Sequence, residues 1–198
     1  MMLKIGITGG IGSGKTTVCK VFETLGIPVF YADTVAKQIM TTDPILIDAV
    51  KNTFGVQSYT PEGVLNNKYV AQIVFNQPAE LAKLNAIVHP AVFRAFEEWT
   101  KTISKSTPYV LKEAALLFES GSYKLCDENI LVLAPEHLKI TRVKKRDQVS
   151  EEQVLARMSK QFSDEEKSAF TKLHLINDEQ QSIVSQVMNY HHQFLKNH

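Results

Sequence analysis

Gly9-Gly10-Ile11-Gly12-Ser13-Gly14-Lys15-Thr16 follows directly on the apolar run Leu3-Lys4-Ile5-Gly6-Ile7-Thr8. The octapeptide has the G-x-x-x-x-G-K-[ST] spacing of a phosphate-binding P-loop, set as it must be between a strand and a helix. Gly9, Gly10, Gly12 and Gly14 permit a tight turn that points backbone N–H groups at phosphate oxygens. Lys15 reaches the β- and γ-phosphates, and the Thr16 hydroxyl suits Mg²⁺. A helix starting near Lys15, with Val18, Val21, Phe22 and Leu25 on one stripe, brings its positive end to the same anion. A plain glycine-rich turn explains neither the Lys-Thr pair nor the density of glycines. A nucleoside triphosphate is the expected ligand, held by Gly10, Ile11, Gly12, Ser13, Gly14, Lys15, Thr16 and Thr17.

The chain has 198 residues, 44% of them hydrophobic. That suffices for a single α/β domain over 1–198 with an insertion or lid, and falls short of two full enzyme domains. A formal net charge of +1 gives no broad basic surface, so no nucleic-acid partner is expected. The two cysteines, Cys19 and Cys126, suggest neither a disulfide framework nor a zinc site. No apolar run reaches membrane-spanning length, and no charged leader with a cleavage site is visible. A soluble, cytoplasmic protein without a membrane partner is expected.

Five short apolar segments, 3–8, 28–31, 109–112, 129–133 and 173–176, alternate with helical patterns. This predicts a parallel sheet covered on both faces, with ligands beyond the carboxyl ends of its strands. Those ends carry the P-loop, Asp33, Glu113, Ala134-Pro135 and Asn177-Asp178. The second and third segments lie much further apart than one crossover helix requires. The intervening residues, 34–106, read as a helical insertion. Its apolar stripes are Val35, Ile39 and Met40, then Ile45, Ile47, Ala49, Val50 and Phe54. Helices over 79–88 and 92–103 follow, with a turn at His89-Pro90, because a residue before proline is biased away from helix. Such an insertion covers the sheet and can also hold a second substrate.

Residues 135–170 are the most charged stretch. His137, Lys139, Arg142, Lys144, Lys145, Arg146, Arg157 and Lys160 are interleaved with apolar positions. Two helices are predicted around Gln148-Val149-Ser150, with Ser150-Glu151-Glu152-Gln153 as a capping box. Basic helices beside a P-loop can close as a lid that brings arginines to phosphates and excludes water. The plainer reading is a solvated face with ion pairs along each helix.

Phosphoryl transfer also needs an acceptor whose proton can leave. Asp33, at the end of the second strand, is the candidate base for an acceptor hydroxyl; the plainer reading, an N-cap of a helix starting at Thr34, is compatible with that role. Glu113, at the end of the third, can hold Mg²⁺ through water or contact substrate. It is Glu rather than Asp, and Lys112 interrupts the apolar run before it. His89 and Pro90 are candidate substrate contacts.

With these pieces assembled, the chain resembles the dephospho-coenzyme A kinases. The residues that carry the resemblance are 7–18, Phe22, Leu25-Gly26, Ala32-Asp33, Leu84-Asn85-Ala86-Ile87-Val88-His89-Pro90, Leu116-Leu117-Phe118-Glu119, Cys126-Asp127, Arg142, 146–150, Arg157 with Gln161, and Ile176-Asn177-Asp178. The resemblance implies a P-loop NTPase fold of three α/β/α layers with a five-stranded parallel sheet. It implies a coenzyme-A-binding insertion at 34–106 and a lid at 135–170. It also implies ATP and Mg²⁺, and transfer of the γ-phosphoryl group to the 3′-hydroxyl of dephospho-coenzyme A. By position, Asp33 matches the catalytic aspartate, Arg142 and Arg146 the lid arginines acting with Lys15, and His89-Pro90 a substrate motif. Adenine contacts are expected around Arg142 and Asn177. Where the family commonly has Asp-x-Pro after the third strand, this chain has Glu113-Ala114-Ala115, and Tyr31-Ala32-Asp33 replaces a frequent Asp-Ala-Asp.

The closest competing reading is another small-metabolite or nucleotide kinase with a P-loop. A GTP-dependent switch needs an Asn-Lys-x-Asp motif, and only Asn177-Asp178-Glu179 is present. A non-catalytic nucleotide-binding module would lack the carboxylates Asp33 and Glu113.

Overall fold

The computed structural model describes residues 2–75 and 77–196. Strand β1 (Leu3–Thr8) enters the glycine loop, and α1 (Lys15–Thr24) leaves it. Then come β2 (Val29–Tyr31), α2 (Ala32–Thr42), α3 (Pro44–Phe54), α4 (Asn67–Val74) and α5 (Pro78–Thr102). Next are β3 (Tyr109–Glu113), β4 (Glu128–Leu133), α6 (Glu136–Asp147), α7 (Glu151–Met158), α8 (Asp164–Ser168), β5 (Leu173–Ile176) and α9 (Ile183–Lys196). The five strands form one parallel sheet in the order β2-β3-β1-β4-β5. Every predicted strand is present, with ends shifted by at most one residue.

The order explains the site. The chain steps outward from β1 to β2, returns to β3 between them, then crosses to β4 on the other side of β1. The crevice at such a reversal lies over the carboxyl end of β1, where the P-loop begins. Alternate β1 residues Ile5 and Ile7 face a core shared with Tyr109, Leu111, Ile130, Val132 and Leu175. Val18, Cys19 and Phe22 of α1 and Val187 and Phe194 of α9 close that core. Full burial of each large apolar side chain contributes about 1.5–3 kcal/mol relative to exposure. The loop therefore joins a strand and a helix that are both packed into one buried core.

Backbone contacts divide the chain into two compact units. Ala32–Lys101 is one, and the chain on either side of it forms the other. Within Ala32–Lys101, Met40, Leu46, Val50, Phe54, Tyr59 and Ala91 form a core against Leu84, Ile87 and Val88. The Tyr59 hydroxyl donates to the Met40 carbonyl at 2.7 Å. Asp43 caps α3 by accepting from Ile45 N at 2.9 Å and Leu46 N at 3.2 Å.

Four local expectations change. The helices over 79–88 and 92–103 are one helix, and His89-Pro90 lies inside it rather than at a turn. An interior proline removes a hydrogen bond and costs about 3 kcal/mol. Here Leu84, Ile87 and Val88 before the proline pack on the same core as Ala91 after it, and Val92 and Phe96 beyond are buried, so burial on both sides of the proline favours the continuous helix. Helix α2 starts at Ala32, so Asp33 sits in its first turn and is not the N-cap of a helix from Thr34. In α3 the buried stripe is Leu46, Val50 and Phe54, whereas Ile45 is exposed. Helices α4 and α8 were not foreseen, since both are short and polar at many positions.

Candidate active site

The P-loop has the geometry its glycines require. Gly12 and Gly14 have φ of 80° and 95°, a region that L side chains rarely adopt. A Cβ on Gly12 would run into the Lys139 backbone, and one on Gly14 into the Asn177 side chain. Ser13 N donates to Gly10 O at 3.1 Å, closing the turn. Lys15, the first residue of α1, is buried and folds back to donate to Gly9 O at 2.9 Å and Gly10 O at 3.3 Å. The Ser13 hydroxyl is buried and makes no hydrogen bond among the described residues. An ammonium over the loop, a buried orphan hydroxyl and a helix N-terminus together fit a phosphate chain. Thr16 and Thr17 are exposed at the start of α1.

Asn177, directly after β5, lies against the loop. Its backbone N–H donates to Leu133 O at 2.8 Å, and its side-chain amide donates to Ser13 O at 2.7 Å. Arg142 of α6 reaches the same point. It donates to Asn177 O at 3.2 Å and 3.3 Å, to Asn177 Oδ1 at 3.4 Å and to Glu179 at 3.0 Å.

Arg146, one turn further along α6, pairs instead with Asp147 through bonds of 2.7 Å and 3.1 Å. Asp147 also accepts from Arg157 at 2.7 Å. The Arg146 guanidinium, with Arg157 beside it, holds the Asp147 carboxyl down at about 2. The capping box at Ser150 and Gln153 is present and starts α7.

Glu113 is buried at the end of β3, in register with Ile7 of β1 and Tyr31 of β2. Burial, with Glu113 as the next contributor, pushes the Cys19 thiol up out of the physiological range. Lys112, which interrupts the strand pattern, is fully buried, and burial pulls its ammonium down to about 8. Asp33 and His89 belong to the Ala32–Lys101 unit. Asp33 is exposed in the first turn of α2. The partly buried His89 stacks on Phe93, with ring centroids 6.4 Å apart, and the exposed Pro90 follows it in α5.

Three further residues lie against the loop that were not among the expected site residues. Lys139 Nζ pairs with Asp164 at 2.7 Å, and a Cβ on Gly10 would stand 3.6 Å from both side chains. Gln161 accepts a hydrogen bond from Ile11 N at 2.9 Å. The sequence signal for Lys139 was its place one turn before Arg142. For Gln161 it was the spacing from Arg157. Neither separates a loop contact from a solvated side chain.

A sequence model of the dephospho-CoA kinase family matches residues 3–182. A dephospho-CoA kinase from Salinibacter ruber is 44% identical over 166 residues, 83% of each chain. A solved Thermus thermophilus structure is 31% identical with a TM-score of 0.85, covering 98% of both chains. The dephospho-CoA kinase from Campylobacter jejuni, 24% identical with a TM-score of 0.71, covers 100% of this chain and 99% of its own and shares the fold. On the family match and the Salinibacter identity, this chain belongs to the dephospho-CoA kinase family.

Proposed function

We propose that this protein transfers the γ-phosphoryl group of ATP to the 3′-hydroxyl of dephospho-coenzyme A, the last step of coenzyme A synthesis. One observation carries the reading most directly. Lys15, Asn177 and Arg142 converge on the phosphate loop of a chain matched to this family over residues 3–182.

The loop residues Gly10, Ile11, Gly12, Ser13, Gly14, Lys15, Thr16 and Thr17 hold the triphosphate, and Asn177 and Arg142 frame the nucleotide. Lys15 leaves its own loop carbonyls to reach the β- and γ-oxygens. Asp33 accepts the proton of the acceptor hydroxyl as the bond to phosphorus forms. Arg142 and Arg146 stabilise the charge that spreads over the transferring oxygens. Thr16 and Glu113 supply a hydroxyl and a carboxylate, the oxygen donors that a hard cation prefers. Bound Mg²⁺ would neutralise part of the β/γ charge. Residues 34–106, with His89 and Pro90, hold the coenzyme moiety, Glu113 stands on the substrate side, and 135–170 closes as a lid. An ATP-dependent reaction and two free cysteines support a cytoplasmic location.

The test is incubation with ATP, Mg²⁺ and dephospho-coenzyme A, followed by mass spectrometry. Coenzyme A is the expected product. Its absence, with phosphorylation of another small metabolite or a nucleotide, would favour a different P-loop kinase activity.

A further inference from the structure

We propose that Gln161 is a positioning residue that sets the conformation of the phosphate loop, and that a buried Glu119–Lys167 clasp fixes Gln161. The proposal deepens the kinase reading and rests on the ATP half of it.

Ile11 stands at the tip of the loop. Its N–H is taken by a side chain from the far end of the lid, Gln161 Oε1, at 2.9 Å. The same segment touches the loop again through Asp164, which pairs with Lys139 beside Gly10. Two separate contacts therefore hold the span 161–164 against Gly10-Ile11.

That span is itself fastened from behind. The Phe162 N–H donates to Glu119 Oε1 at 2.9 Å. The Phe162 carbonyl accepts from Lys167 Nζ at 3.0 Å. Lys167 Nζ lies 3.2 Å from the same Glu119 oxygen, with the Lys167 side chain fully buried and that of Glu119 13% exposed. Both polar groups of residue 162 are thus held by one buried ion pair. The Phe162 ring stacks on Phe170 at 6.2 Å, and Phe170 stacks on Phe118 at 4.8 Å. Phe118 precedes Glu119 in the loop after β3, so a ring stack and an ion pair anchor the same short stretch.

The consequence follows from what catalysis at a P-loop requires. Phosphoryl transfer depends on donors held in place before the substrate arrives. A neutral acceptor on the Ile11 N–H fixes the tip of the loop without placing a negative charge beside the triphosphate. A flexible tip would have to be ordered by the nucleotide itself, which weakens binding.

The experiment measures the affinity of a non-hydrolysable ATP analogue and the hydrogen exchange of the Ile11 amide in the ligand-free protein. Gln161→Ala should weaken the analogue about tenfold, leave KM for dephospho-coenzyme A within about twofold, and release the Ile11 amide from protection. Gln161→Glu retains an acceptor and should keep Ile11 protected, while its charge still weakens the analogue. Glu119→Gln should weaken the analogue too, with no further loss in the double variant Glu119→Gln/Gln161→Ala, because both act through one contact. Unchanged analogue affinity and Ile11 exchange in Gln161→Ala would overturn the positioning role, and additive losses in the double variant would overturn the clasp. The analogue needs no acceptor. A wild-type protein that binds it but makes no coenzyme A fails the kinase reading alone.

Discussion

The Asn177 side-chain amide donates a 2.7 Å hydrogen bond to the Ser13 carbonyl, 164 residues away along the chain. This bond joins the end of β5 to the middle of the phosphate loop. It also explains Gly14, since a Cβ there would collide with the Asn177 amide. Arg142 closes over the same junction by donating to the Asn177 carbonyl. Loop, strand end and α6 therefore share one polar contact.

Asn177→Ala removes that contact and leaves a loop carbonyl without its partner. The Asn177 side chain is buried, and an unmade hydrogen bond at such a site costs about 1–3 kcal/mol. The urea midpoint should fall accordingly with an unchanged m-value. The KM for ATP should rise as Arg142 loses its anchor. An unaltered midpoint would mean that the loop holds its shape without β5.

Asp33→Asn keeps the side-chain shape and removes the carboxylate proposed as the base. Turnover should fall by about 10²–10⁴-fold, the usual contribution of a positioned general base, with the KM for ATP nearly unchanged. Steady-state kinetics with both substrates separates these effects. Near-normal turnover would exclude Asp33 as the proton acceptor.

The sheet and the P-loop were legible because each strand is a short apolar run and the glycine motif has one structural meaning. Lys112 obscured β3 only slightly. Its side chain is buried within the strand, and the strand extends to Glu113. The continuous α5 was not legible. Proline in sequence marks a break, and only tertiary packing on both sides of Pro90 shows why the helix continues. Arg142 and Asn177 could be selected from the sequence, but not the contact between them. Gln161 entered the resemblance and Lys139 the basic stretch, but neither was readable as a loop contact, because what shows that is proximity to Ile11 and Gly10.

His191 gives the fold a pH dependence on its acid side. Its Nδ1 lies 2.6 Å from the buried Tyr109 hydroxyl. Burial, and secondarily His192, lower its pKa. The unfolded chain then binds this proton more readily than the folded one, so stability is full above about pH 6.5 and is lost as pH falls below it. Melting temperatures at pH 7.5 and 5.5 should show the drop, and His191→Gln should show a smaller one. Equal drops in both proteins would assign the effect to other groups.

Arg146 is held by Asp147 in a two-bond pair, with Arg157 on the same carboxylate. To act on the transferring phosphoryl group, its guanidinium must exchange that carboxylate for phosphate oxygens. Both acceptors suit its planar fork, so the exchange keeps the hydrogen-bond count. Arg146→Ala should then lower kcat on the order of 10²–10³-fold while KM for either substrate moves by about threefold or less, as expected of a contact made mainly in the transition state. Arg146→Lys should recover little, because an ammonium cannot reproduce the bidentate geometry. Asp147→Asn removes the competing anion and should leave kcat at or above the wild-type value. A raised KM with unchanged kcat in Arg146→Ala would make the arginine a ground-state contact instead.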